Sequence, residues 1–348
     1  MTRIHAFIVD GTLSRIKKGE ETNAGLLYKL LREKPEVSVG YDPGVQGKGL
    51  RKWANVLTGN GINCSIRTGY ETLAQEYRIG DKIYLFGYSR GAYAVRSLAG
   101  MIARVGLLRT ENITKKRIRE AFQTYEQCLD GKKSGLFQRR FSHEKVEIEM
   151  IGVWDTVKAL GPPLPILSYI SPMATEFHDH KLSPIINNAF QALAADENRR
   201  SFSPIPWECH PDWQGRLEQA WFAGAHSDVG GHVYAQPEAR KISNISLRWM
   251  LTRAANCGLP LPAGWQARFP VDSTAPFQGA YAGSSKYFFA RQPRRFGTPN
   301  IDYLHESLGE RMEQLRDYTP RLEGYPFRNR PTPSTLPEIP SGLEPPVR

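Results

Sequence analysis

The run Lys82-Ile-Tyr-Leu-Phe-Gly87-Tyr88-Ser89-Arg90-Gly91, continued by Ala92-Tyr-Ala-Val-Arg96-Ser-Leu-Ala99, constrains this chain more than any other stretch. An apolar segment of strand character ends in Gly-x-Ser-x-Gly, and an amphipathic helical pattern with small residues at its start follows at once. A serine stands at such a junction only if the backbone turns sharply from strand to helix. That turn strains the serine and exposes its hydroxyl at the tip of a sheet. Side chains two positions before and after it would strike the adjoining strand and helix, hence Gly87 and Gly91. The helix that follows aims its first N–H groups, and its partial positive charge, where an oxyanion would develop. Ser89 is therefore a candidate nucleophile and the Arg90 N–H a candidate oxyanion donor, with Tyr88 a substrate-binding or loop-shaping neighbour.

The flanking pattern repeats this alternation. Strand-like runs at Ile4–Val9, Val37–Tyr41, Lys82–Phe86, Val146–Trp154 and Leu217–Phe222 stop abruptly at Gly, Asp or Ser. Helix-like stretches at Asn23–Arg32, Gly49–Leu57, Thr72–Tyr77, Arg90–Val105 and Lys115–Leu129 lie between them. Strands alternating with helices predict a mostly parallel sheet covered on both faces, with ligands at the carboxyl ends of the strands.

A serine needs a base and a group that orients the base. Where a serine elbow caps a parallel sheet, the partners follow in the order acid, then histidine. Asp155 in "IGVWDTV" ends the Val146–Trp154 run and is the first acid so placed. His226 in "QAWFAGAHSDVGGH" follows the Leu217–Phe222 run, with Gly224 allowing a tight turn and Gly230 and Gly231 a close approach. His305 in "YLHESLGERM" is the alternative base, less suited because its surroundings read as a helix. His178 and His180 have no third ligand nearby, and neither a metal nor another cofactor is expected. Asp228 is expected to bond nearby backbone or contact the substrate.

The first loop, "FIVDGTLS" at residues 7–14, resembles the Asp-x-Asp-Gly-Thr loop of haloacid-dehalogenase phosphatases. The nucleophilic aspartate of that motif would stand at Ile8, which can neither attack phosphate nor bind magnesium. Beside the Ser89 elbow the same loop has another use. An N–H of Gly11 or Thr12 supplies the second oxyanion donor, and Asp10 holds the loop in shape or touches the substrate.

The motifs "LFGYSRGAYAVRSLAGMI", "GVWDTV", "ALAADENRRSFSP" and "WFAGAHSDVGGH" occur in the order seen in an uncharacterised α/β-hydrolase domain family. That family includes the lipase effectors of type VI secretion systems. Thr22-Asn23, "YDPGV" at Tyr41–Val45 and "HESL" at His305–Leu308 add to the resemblance, which runs from about residue 4 to residue 322. It implies an α/β-hydrolase fold with Ser89, Asp155 and His226 at the positions of the family triad. It further implies hydrolysis of carboxylic esters, in the effector members by phospholipase A-type cleavage. A small-molecule esterase and a non-catalytic binding module on the same fold are the alternatives. The first loop departs from the family's usual Phe-Asp-Gly-Thr-Gly-Asn.

The domain boundaries expected are one α/β-hydrolase domain over residues 1–325, with cap segments near 161–182 and 260–300, and a tail over 326–348 with seven prolines. Four scattered cysteines without a Cys-x-x-Cys pair fit a reducing compartment. Asp10 interrupts the early apolar run, so no signal peptide is expected; synthesis in the cytoplasm is, with export by a type VI machine left open. The net charge is +11, with clusters at Lys115-Lys116-Arg117, Lys132-Lys133, Arg139-Arg140, Arg199-Arg200 and Arg294-Arg295. These read as solvated faces or as attraction to an anionic membrane surface; no nucleic-acid-binding motif accompanies them. The partners expected are a lipid or acyl-ester substrate and, for an effector, an immunity-type protein.

Overall fold

A computed structural model of the chain describes residues 2–12, 14–44, 60–127, 131–157, 181–209, 212–233, 235–282, 289–297 and 302–325. Its strands are β1 (Ile4–Val9), β2 (Val37–Asp42), β3 (Lys82–Tyr88), β4 (Ile148–Trp154), β5 (Asn188–Ala194), β6 (Arg216–Phe222), β7 (Arg294–Arg295), β8 (Asp302–Leu304) and β9 (Leu322–Glu323). Its α-helices are α1 (Asn23–Leu31), α2 (Asn60–Glu76), α3 (Arg90–Val105), α4 (Lys115–Gln127), α5 (Gly131–Phe141), α6 (His226–Gly230), α7 (Arg240–Asn256) and α8 (Glu306–Gln314). Seven strands form one sheet in the order β2-β1-β3-β4-β5-β6-β8, and β7 pairs with β9 apart from it. Every neighbouring pair in the large sheet is parallel.

A parallel sheet covered on both faces needs apolar residues at successive positions. β3 is buried throughout except at Lys82. Alternate strand residues feed two separate cores. Ala6, Ile8, Tyr84, Phe86, Met150 and Trp154 pack with Leu27 and Leu30 of α1 and Leu247 and Leu251 of α7. Phe7, Val9, Ile83, Leu85, Ile151 and Val153 face the other way, onto Leu73 of α2, Val95, Leu98 and Ile102 of α3, and Ile118 of α4.

The chain runs from β1 outward to β2 and then back across β1 to β3. The strand order therefore reverses between β1 and β3, where a crevice opens at the carboxyl ends of the strands. The first loop and the Ser89 elbow leave the sheet on either side of it. No helix among the described residues is long and apolar enough to cross a membrane.

The sequence expectations need correcting at α2, β5 and β8, and helices α5 and α7 were not expected either. The helix expected at Thr72–Tyr77 is the end of α2, which runs over 17 residues from Asn60. Gly61 and Gly69 weaken its local signal, yet Ile62, Ile66, Tyr70 and Leu73 line its buried face. Gly69 lets it approach the sheet, since a Cβ there would lie 2.6 Å from the Phe7 ring. Strand β5 was not expected, because "NAFQALA" has no β-branched residue; it is a strand through its pairing with β4 and β6. β8 likewise forms as a three-residue edge against β6. The helix expected at Gly49–Leu57, most of the expected 161–182 segment and the 326–348 tail lie outside the described residues. In the 260–300 segment, Trp265, Phe269 and Ala275 are buried against the α1–α7 core.

Candidate active site

Ser89 has φ 58° and ψ −121° and stands just before the first residue of α3. Among the described residues, Ser89 and Asp155 are the two non-glycine residues with clearly positive φ, at 58° and 46°. Each such conformation costs on the order of 1–3 kcal/mol and persists only where its surroundings over-determine it. The glycines of the elbow show what holds Ser89. A Cβ on Gly87 would lie 2.5 Å from the Gly91 carbonyl oxygen, and one on Gly91 would lie 2.2 Å from the Val9 oxygen. The elbow is thus pressed against the end of β1, and the Ser89 N–H donates to the Trp154 carbonyl of β4 at 3.0 Å.

Three strand ends converge here. Asp155 follows β4, and its N–H is held by the Ala192 carbonyl of β5 at 2.8 Å. His226 opens the short helix α6, which β6 reaches through Gly224 at φ 104°. The Nδ1–H of His226 donates to Asp155 Oδ2 at 2.5 Å. Nε2 then accepts from Ser89 Oγ at 2.8 Å. All three side chains are buried: Ser89 is 7% exposed, His226 5% and Asp155 0%. Burial pushes the Asp155 carboxyl upward, but the Arg294 charge and the hydrogen bonds from His226 and Arg294 outweigh it and hold it well below the usual carboxylate range. Burial lowers the His226 pKa against the opposing pull of Asp155, so the imidazole is neutral and free to take a proton at Nε2.

The oxyanion side needs one correction. The Gly11 N–H donates to Asp10 Oδ1 at 2.6 Å, so it is not free to meet a substrate. Asp10 is fully buried and collects further hydrogen bonds at 2.7–2.8 Å from Ser14 Oγ, Thr22 Oγ1 and the Tyr41 hydroxyl. Burial raises its pKa despite these donors. It organises the loop from beneath and is out of reach of solvent. The free N–H groups of the first turn of α3, beginning with Arg90, face no intrahelical acceptor.

Tyr88 and Asp228 also hold scaffold rather than solvent. The Tyr88 hydroxyl donates to the His226 carbonyl at 3.2 Å, and its ring lies 5.0 Å from the imidazole. Asp228 accepts from the N–H groups of Ala225, Gln278 and Gly279, tying the start of α6 to the 277–279 loop. His305 stacks on Phe222 at 4.5 Å and accepts from Ser307 as the cap of α8. Burial pushes its pKa down to about 3. Among the described residues no group of three His, Cys, Asp or Glu side chains could hold a metal ion.

Sequence reasoning missed two elements of the site. Glu197 accepts the His226 N–H at 3.2 Å and is ion-paired with Arg199 at 2.5 Å. The Arg199 guanidinium covers the Phe202 ring at 3.8 Å, and Phe202 meets the imidazole edge-on at 4.9 Å. Arg294 forks onto Asp155 at 2.6 and 2.8 Å. Arg199 and Arg294 had been counted in basic surface clusters, but they are only 6% and 5% exposed. The run of opposite charges Asp196-Glu197-Asn198-Arg199 in "ALAADENRRSFSP", immediately after an alanine-rich buried strand, was the available signal for the first. Nothing local distinguishes Arg294 from Arg295.

A parallel sheet with its order reversed at β1, a strained serine after the strand beside it and a histidine after a later strand define an α/β-hydrolase fold. Within that class the match is specific. Residues 4–253 match the profile "T6SS, Phospholipase effector Tle1-like, catalytic domain", and the chain belongs to that family. An uncharacterised protein of Saccharomyces cerevisiae, YEL023C, is 30% identical over 231 residues, covering 57% of this chain and 32% of that protein. A crystal structure of an uncharacterised protein from Pseudomonas aeruginosa aligns with TM-score 0.48 and 17% identity over 78% of this chain and 49% of that one. A Tle1 effector bound to the VgrG spike of the type VI system aligns with TM-score 0.38 and 18% identity, over 66% of this chain and 51% of the other. The chain thus spans about a third of the yeast relative and about half of each of these two structures.

Proposed function

We propose that the protein is a serine ester hydrolase acting on lipid acyl esters, with Ser89 as nucleophile, His226 as general base and acid, and Asp155 as the orienting carboxylate. The observation that carries this reading is the hydrogen-bonded chain from Ser89 Oγ to His226 Nε2 and from His226 Nδ1 to Asp155 Oδ2, at 2.8 and 2.5 Å. Ser89 Oγ attacks the ester carbonyl carbon while its proton passes to Nε2. The carbonyl π electrons move onto oxygen, where the Arg90 N–H, and the Thr12 N–H in place of Gly11, receive the charge. Collapse of the tetrahedral adduct breaks the C–O bond, and the leaving alcohol takes the proton from Nε2. Water, deprotonated by the same nitrogen, then releases the acid and restores Ser89. Each oxyanion donor is worth about 2.7–4 kcal/mol in such transition states.

Membership of a phospholipase effector family favours a glycerophospholipid as the ester, and delivery by a type VI system as the route to it. The basic faces suit an anionic membrane, and an effector of this kind calls for an immunity-type protein in the producing cell. The single domain over residues 1–325 belongs to the same proposal. The experiment is a panel of phospholipids and acyl esters given to wild type and Ser89→Ala. Release of fatty acid by the wild type, reduced at least about 1,000-fold in the variant, is expected. Equal turnover by the two proteins would remove Ser89 from the chemistry.

A further inference from the structure

Arg294 occupies an unusual place for an arginine. Its Nη1 donates to Asp155 Oδ1 at 2.6 Å and its Nη2 to Oδ2 at 2.8 Å, a bidentate fork on a fully buried carboxylate. The same two nitrogens also donate to backbone carbonyls, Nη1 to Ala194 at 2.9 Å and Nη2 to Phe202 at 2.6 Å. The guanidinium is therefore fastened to the end of β5 and to the turn after it, as well as to the acid. The carboxylate oxygen that meets His226 is shared with this cation. Arg294 arrives on β7, which is paired to β9 through Leu322, and both lie beyond the 4–253 segment that matches the family profile.

We propose that Arg294 is a positioning residue of the triad: a fixed cation that holds the Asp155 carboxylate in register with His226 and offsets the charge it presents to the imidazole. This rests on the triad reading given above. The other groups facing His226 leave that effect to Arg294. Glu197 and Arg199, from the segment after β5, neutralise each other. Tyr88, at the end of β3, stays uncharged, its pKa raised well above the usual value by burial. Asp228, on α6, spends both oxygens on backbone N–H groups. His232, just past α6, is kept neutral by burial. Asp10, beneath the elbow, is enclosed by its own loop.

The consequence has a definite sign. Removing a cation from a buried Asp–His pair raises the proton affinity of the pair, wherever the proton resides. The acid limb of activity then moves to higher pH. A residue that merely held the fold together would lower the amplitude and leave the limb where it was.

The experiment follows the pH dependence of Ser89 labelling by a fluorophosphonate, and of p-nitrophenyl ester turnover, in the full chain. Two variants are compared with wild type. Arg294→Gln keeps donors but removes the charge; its acid limb is expected about one pH unit above that of wild type. Arg294→Lys keeps the charge but loses the fork; its limb stays with wild type while its plateau kcat falls about tenfold. A limb in Arg294→Gln that coincides with wild type overturns the proposal. Should Arg294→Gln fail to fold, Arg294→Ala is assayed with and without added methylguanidinium: return of the acid limb to its wild-type position on adding the cation supports the offset, and a limb that the cation leaves unmoved overturns it. Absence of Ser89 labelling in the wild type would instead overturn the triad, and Arg294 with it.

Discussion

At the scale of single residues, the site is built from conformations and contacts that its side chains would not choose alone. Ser89 and Asp155 both carry left-handed backbone, and Gly230 is where the margin is smallest. A Cβ on Gly230 would lie 1.9 Å from the Tyr88 ring, which supports the imidazole of His226. Gly230→Ala is therefore expected to cost about 1–3 kcal/mol in stability through overpacking. It should also slow fluorophosphonate labelling of Ser89; unchanged denaturation and labelling would show that the ring has room to move. His305 gives a second residue-scale test. Its pKa is held down to about 3 by burial, while in the unfolded chain it titrates near 6.5. The unfolded state thus binds the proton first, and stability contributed by neutral His305 is present above about pH 6.5 and lost as pH falls toward 3. The stability of wild type relative to His305→Asn, which keeps a capping side chain, should decline over that window in urea titrations. A constant difference would rule the buried neutral histidine out.

Elements meet the site through a few long-range polar ties. Asn23, the first residue of α1, donates to the Val229 carbonyl of α6 at 2.9 Å and to Ser246 Oγ of α7 at 3.1 Å. Its Oδ1 accepts from Arg240 at 3.1 Å. One amide thereby locks three helices on the same side of the sheet, including the one that begins with His226. Asn23→Ala takes the Oδ1 acceptor from Arg240 Nη1 and a donor from the Val229 carbonyl and Ser246 Oγ, which still bond each other at 2.7 Å, and should cost about 1–3 kcal/mol, seen as a lower denaturation midpoint at unchanged m-value. The elements themselves were unevenly legible. α3 runs from Arg90 to Val105 as its periodicity predicts, because an apolar stripe and a strand–glycine junction mark both its identity and its start. α2 was largely hidden, since Gly69 answers to the packing of Phe7 and Leu98 and not to helix propensity. β5 was hidden for the opposite reason: alanines carry no strand preference, and only flanking strands make one of them.

For the molecule as a whole, the segment beyond residue 253 works as a strap across the strand ends. Tyr318 and the Arg321 N–H hold Asp196 at the end of β5, at 2.8 and 3.1 Å, while Arg294 holds Asp155. Asp196 also accepts the N–H of Gly224, the turn that leads into His226. Tyr318→Phe removes one donor from this buried carboxylate and is expected to cost about 1–3 kcal/mol, with faster hydrogen exchange around β9 and the Gly224 turn. Exchange unchanged at both places would mean that the strap is held elsewhere.

The sequence by itself determined most of the alternation of strands and helices, the serine elbow, and the acid and histidine that meet it. Each of these is written in local pattern: apolar runs that end abruptly, glycines where side chains cannot fit, and polar residues at strand ends. Only the tertiary structure decided which N–H groups remain free in the first loop, where the Gly11 N–H turns to Asp10. It alone separated the buried Arg199 and Arg294 from the exposed basic residues beside them. A charge is the same in the sequence whether it meets water or a carboxylate; what distinguishes the two is a partner that lies 139 positions away, as Asp155 does from Arg294.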